Sequence, residues 1–113
     1  MAKFMMIFRG GDYQRLSAEE AQKLTQKWLA WFEGLTRDGV YGGAGAALAP
    51  TGTVVRGARG AVSDGPYAEA KDLVGGYAIV EARDLAAAVE LSRGCPIFEA
   101  NGLVEIRPVR QVA

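Results

Sequence analysis

The sequence predicts an α+β domain in which a sheet carries both of its helices on one face. Three observations predict it. Strand-like and helix-periodic segments follow in the order strand, helix, strand, hairpin, strand, helix, strand. Residues 18–38 carry an apolar stripe at helical spacing behind a complete N-terminal cap. The first strand is apolar on both faces, so both need cover. With 113 residues the chain is read as one domain, 1–113, because halves would be too small to bury a stable core.

Residues 4–9 are a short β-rich run ending at the turn cluster Gly10-Gly11-Asp12. Phe4, Met6 and Phe8 point to one face, Met5 and Ile7 to the other. The first helix starts at a capping box: the Ser17 hydroxyl can accept from the Glu20 amide while Glu20 reaches back. Leu16 and Ala21 sit where a hydrophobic staple would. Ala21, Leu24, Trp28, Trp31 and Leu35 then alternate at steps of three and four, with Phe32 widening the stripe. Gly39 is a natural stop. Glycines 42, 43 and 45 weaken the next strand, over 40–48, unless a bulge or close backbone contact is intended.

Residues 53–56 and 61–63 read as hairpin arms turning at 57–60. Residues 64–72 read as a turn leading into one helical turn, before a strand at 76–82. Asp84 caps a second helix that ends near Gly94, with Leu85, Ala88, Val89 and Ser92 as its inner stripe and Pro96 barring continuation. In the last strand, 103–107, Val104 and Ile106 face the helices, and Leu103, Glu105 and Arg107 face away. This order makes a ferredoxin-like, split βαβ sheet with an inserted hairpin. Its helix-free face would mix Glu105 and Arg107 with apolar residues, too greasy for water and too polar for a dry core. Two such faces packed together around a polar cavity resolve the conflict, which predicts a homodimer.

Ser63-Asp64-Gly65-Pro66-Tyr67-Ala68-Glu69-Ala70-Lys71, followed by Gly75-Gly76-Tyr77, resembles the motif region of the DGPF, YCII-related proteins. Tyr67 stands where the motif's name has phenylalanine. Cys95-Pro96 and the ending Val104-Glu105-Ile106-Arg107-Pro108-Val109 fit the same pattern, so the resemblance covers nearly the whole chain. It implies a dimeric α/β barrel. Some members are similar to muconolactone isomerases and chlorinated-aromatic dehydrochlorinases, with a histidine–aspartate pair for proton transfer. This chain has no histidine, so that pair is not carried over. Other members are associated with alternative sigma factors, which implies a regulatory role.

Thirteen basic residues balance thirteen acidic ones. That argues against a direct nucleic-acid footprint and against a polybasic membrane surface. No apolar run is long enough to span a bilayer, and Arg9 and Asp12 end the opening apolar stretch too early for a signal peptide. A cytoplasmic protein is expected. The lone Cys95 fits a reducing compartment; without histidine it has no base and reads as an inert, buried thiol. Zinc lacks its usual ligands, the carboxylates do not cluster for magnesium, and no phosphate loop follows the glycines, so no metal or cofactor is expected.

Asp64 is the candidate acid–base residue, against the reading that Asp-Gly-Pro is simply turn chemistry. Tyr67 and Lys71, four apart, could hold a substrate oxygen or could only pack and solvate. Arg107 could clamp a carboxylate, and Glu105, Arg9 and Tyr77 share its neighbourhood; structural ion pairing is the competing account. These residues are expected around one cavity on the helix-free face. Three functions stay open: a cofactor-free acid–base enzyme on a small molecule, a ligand-binding or regulatory module acting with a sigma factor, and an assembly subunit.

Overall fold

The computed structural model describes residues 1–65 and 73–112. Tyr67 and Lys71, with the rest of 66–72, lie outside them. The strands are β1 (Ala2–Arg9), β2 (Tyr41–Ala47), β3 (Gly52–Val55), β4 (Val62–Gly65), β5 (Val74–Ala82) and β6 (Leu103–Pro108). The helices are α1 (Ala18–Arg37) and α2 (Leu85–Ser92), with short 3-10 turns at Tyr13–Arg15 and Pro96–Ala100. Four strands form one antiparallel sheet in the order β2-β5-β1-β6; β3 and β4 pair separately as the inserted hairpin. Each β-α-β unit leaves a gap of one strand that the other unit fills. This is a ferredoxin-like α+β arrangement.

Local chemistry sets each boundary. The capping box at Ser17 and Glu20 closes reciprocally, at 3.1 Å in both directions. Those bonds lower the Glu20 pKa from its ordinary value, first through the Ser17 backbone and then its side chain. Gly39 ends α1 with a φ of +76°, which a residue with a Cβ rarely adopts. The Asp84 side chain accepts from Ala87 N at 2.9 Å and starts α2.

Phe4, Met6 and Phe8 of β1 pack with Ala78 and Val80 of β5 under the helices. Val104 and Ile106 join this core from β6. Met6 and Val80 are completely buried, each side chain contributing about 1.5–3 kcal/mol through burial. The alternation follows the register: Met6 lies opposite both Ala78 and Ile106, so even positions of β1 share the helix side.

Three expectations need correcting. Leu85 is 46% exposed and is not on the inner stripe of α2. Ala88 and Ser92 are buried there, with Ala87 and Leu91 packed on the core. The Asp84 cap fixes the first turn so that Leu85 falls on its outer side. Ala21 is also exposed, at the rim of a groove. Asp64 is a strand residue, paired across the hairpin with Thr53, rather than part of a turn. As expected, α2 ends near Gly94, and beyond Cys95 Pro96 opens a separate 3-10 turn that buries Ile97 and Ala100.

Candidate functional site

A cavity among the described residues lies on the helix side, between α1 and the paired strands β2 and β5. It is a groove of about 410 Å³. Its origin is legible in the residues that build it. After Tyr41, β2 consists only of glycine and alanine. A Cβ on Gly45 would stand 2.5 Å from the Tyr77 carbonyl oxygen, and one on Gly76 would stand 2.8 Å from that of Ala46. Close pairing of β2 and β5 therefore requires glycine at both positions, and the same residues leave the floor bare. The register shifts between Tyr41 and Gly45, where Gly43 takes a φ of +91°.

Large rings from α1 stand over this floor. Trp28 meets Phe8 edge-on at 5.0 Å between ring centroids and stacks with Phe32 at 6.0 Å. Phe32 in turn lies 5.0 Å from Tyr41. Leu24, Thr25, Leu29 and Tyr13 add to the wall, and among the described residues no charged side chain lines it. The Thr25 hydroxyl donates to the Ala21 carbonyl at 3.0 Å, so its proton is used within the helix.

Tyr13 reaches the groove from the turn after β1. Its ring folds back over Gly11, where φ is +104° and a Cβ would collide with it. The Asp12 amide donates to the Ala100 carbonyl at 2.6 Å, and Arg15 pairs with Asp12 at 3.0 Å, anchoring the turn. Burial raises the Tyr13 pKa, Cys95 raises it further, and the approach of Trp28 opposes them. The residue is 41% exposed overall, so this effect is moderate. The phenol stays protonated at neutral pH.

A smaller polar cleft of about 230 Å³ lies beside the start of α1. Its cations are already matched: Lys27 with Glu99 at 2.7 Å, Lys23 with Glu19 at 3.3 Å, and Arg15 with Asp12. Exposed pairs of this kind contribute little stability.

The residues expected to form a site against a partner subunit are placed as follows. Tyr77, Ile7 and Glu105 stand in one cross-strand row of the helix-free face, and Ile79, Met5 and Arg107 in the next. Arg9 Nε donates to Glu105 Oε1 at 2.8 Å across the diagonal. Asp64 is exposed on the separate hairpin. Of the expected residues that are described, Tyr77 lines the groove, where β5 meets β2, and Asp64, Arg9, Glu105 and Arg107 line neither cavity. The sequence alone does not single out Tyr13, Trp28, Phe32 or Tyr41 as a site. The available signal was the pairing of a side-chain-poor strand with aromatics at 28, 31 and 32 of the preceding helix.

Among the described residues no three His, Cys, Asp or Glu side chains converge, and no helix is long and apolar enough to cross a membrane. Cys95 is buried, and burial pushes its thiol up to about 12, against a weaker opposing hydrogen bond from the Ile97 backbone.

Sheet and groove define a small ferredoxin-like α+β protein with an aromatic groove against one edge of its sheet. The chain belongs to the YCII-related family, whose domain matches residues 3–113. Comparison with curated proteins gives no match. Among solved structures it is similar to 5-chloro-2-hydroxyhydroquinone dehydrochlorinase from Burkholderia phenoliruptrix in complex with 2,5-dihydroxybenzoquinone. The identity is 15% over 96% of this chain and 95% of that one, with a TM-score of 0.53. That likeness establishes a shared fold.

Proposed function

We propose that this protein binds a small, largely apolar molecule carrying a planar ring in the groove between α1 and β2. One observation carries the reading: a slot of about 410 Å³ walled by Phe8, Trp28, Phe32 and Tyr41 and floored by glycine and alanine. Such a space desolvates a ring on both faces and rejects charge in its middle. The similar dehydrochlorinase, in complex with a ring compound, supports the class of ligand and an enzymatic use of the site. Acid–base chemistry by Asp64 would need the exposed hairpin carboxylate to be brought to the ligand, whereas binding needs only the groove. Binding is therefore the reading the geometry supports best.

A thermal-shift screen against phenols, aromatic acids and matched aliphatic compounds tests it. Ring compounds in excess over their Kd are expected to raise Tm by several degrees, and aliphatic ones of equal charge are not. Ala21→Trp adds bulk at the exposed rim, where the stability cost should stay within about 0.5 kcal/mol, and is expected to remove the shift. A screen in which no ring compound stabilises the wild type would contradict the proposal.

The same reading has the protein act as a homodimer through the helix-free face. Met5, Ile7, Tyr77 and Ile79 form a half-buried apolar block there, next to the Arg9–Glu105 pair. Light scattering at micromolar concentration is expected to return twice the chain mass; a stable monomer would end the dimer proposal and leave the groove untouched.

A further inference from the structure

Two phenols flank the aromatic pair at the centre of the groove. Tyr13 lies on the Trp28 side, close enough for the indole to act on its hydroxyl, and Tyr41 lies on the Phe32 side at 5.0 Å. Trp28 and Phe32 stack between them at 6.0 Å. Four hydroxyl-bearing residues line the space: Tyr77 shares the helix-free face with Ile7 and Glu105, and the Thr25 hydroxyl is committed to its own helix, which leaves Tyr13 and Tyr41. Among the described residues, neither tyrosine hydroxyl donates a hydrogen bond to another group. Both tyrosines are partly exposed at the rim of the apolar slot, so each keeps a donor that a ligand oxygen can take.

We infer that the groove is specific for a ring carrying an oxygen at each of two opposite ends, a hydroquinone-like molecule, held by Tyr13 at one end and Tyr41 at the other. This rests on the binding reading above and adds what the site recognises. Trp28 and Phe32 supply stacking, which every aromatic ring satisfies equally. The two hydroxyls supply the discrimination, because a ring without oxygens forgoes the hydrogen bond that each can donate. Burial keeps the Tyr13 phenol in its protonated, donating form across the neutral range.

The test is a titration of tryptophan fluorescence with three rings of similar size: p-xylene, p-cresol and hydroquinone, with none, one and two oxygens. In the wild type the affinity is expected to rise about fivefold with each oxygen, the worth of one net hydrogen bond. Tyr13→Phe and Tyr41→Phe should each bring hydroquinone down about fivefold while leaving p-xylene unchanged. Unchanged p-xylene binding also shows that the variant has kept its fold. Equal quenching by all three rings in the wild type would overturn the inference alone. So would a Phe substitution that weakens all three alike. Absence of quenching by any of them would overturn the binding reading and this inference together.

Discussion

Gly45→Val is expected to lower stability by about 2–3 kcal/mol and to abolish ligand binding in the groove. A Cβ at this position would stand 2.5 Å from the Tyr77 carbonyl oxygen and 3.0 Å from Ala78 Cα. Both obstacles are backbone, so no side chain can turn away to make room. β2 must then move off β5, where Gly45, Ala46 and Ala47 pair with Ala78, Tyr77 and Gly76. Overpacking in a fitted interior costs about 1–3 kcal/mol, and lost ladder hydrogen bonds add to it. Because the same strand floors the groove, fold and site should fail together. Gly34 supplies the contrast. It is a helical glycine in α1 where an added methyl would have nothing within 4 Å, so Gly34→Ala is expected to stabilise by about 0.5–1 kcal/mol. Urea unfolding of both variants checks the opposite signs. Two destabilised proteins would contradict the account of where glycine is required.

Alkaline unfolding should be dominated by one thiol. Cys95 is 3% exposed and its pKa stands at about 12, raised by burial from the ordinary value of 9.0. The folded state thus holds its proton where the unfolded state releases it, so the contribution is intact below pH 9 and lost as pH rises towards 12. The loss from this group reaches about 4 kcal/mol by pH 12. The Tyr13 shift has the same direction and acts above pH 10. Cys95→Ala is expected to flatten the fall in stability between pH 9 and 12, at a modest packing cost at neutral pH. In the wild type, thiol reagents at about pH 8 should modify Cys95 no faster than the protein unfolds. Rapid labelling of the folded protein, or an unchanged alkaline profile in Cys95→Ala, would contradict this.

Elements whose signals are local were legible in the sequence. Ser17 and Glu20 announce the start of α1 because the capping box is made within four residues, and the faces of β1 and β6 follow from strict alternation. Leu85 and Ala21 went astray because helical spacing tells which residues share a stripe, not how wide the buried arc is once a neighbouring surface is in place. The groove was hidden for a related reason. Gly42, Gly43 and Gly45 signal a bend or a close approach, but an empty floor becomes a site only when Trp28 and Phe32 are stationed above it by the crossover. Tyr13 depended on a 3-10 turn held by Asp12 and Ala100, far apart in the chain, which no local pattern encodes. Tyr77, Glu105 and Arg107 stand on the helix-free face as alternation predicts, and Glu105, expected to act with Arg107, makes its ion pair with Arg9. The groove, however, lies on the other side of the sheet from Arg9, Glu105 and Arg107, and of these expected residues only Tyr77 lines it.

The central claim is that the helix-side groove is the binding site, and mapping amide and indole chemical shifts during a hydroquinone titration tests it most directly. The account predicts that the perturbed signals cluster at the Trp28 indole, Tyr13, Gly45, Ala46, Ala47 and Gly76. Perturbation confined to Arg9, Glu105, Arg107 and Asp64, with the groove silent, would contradict it.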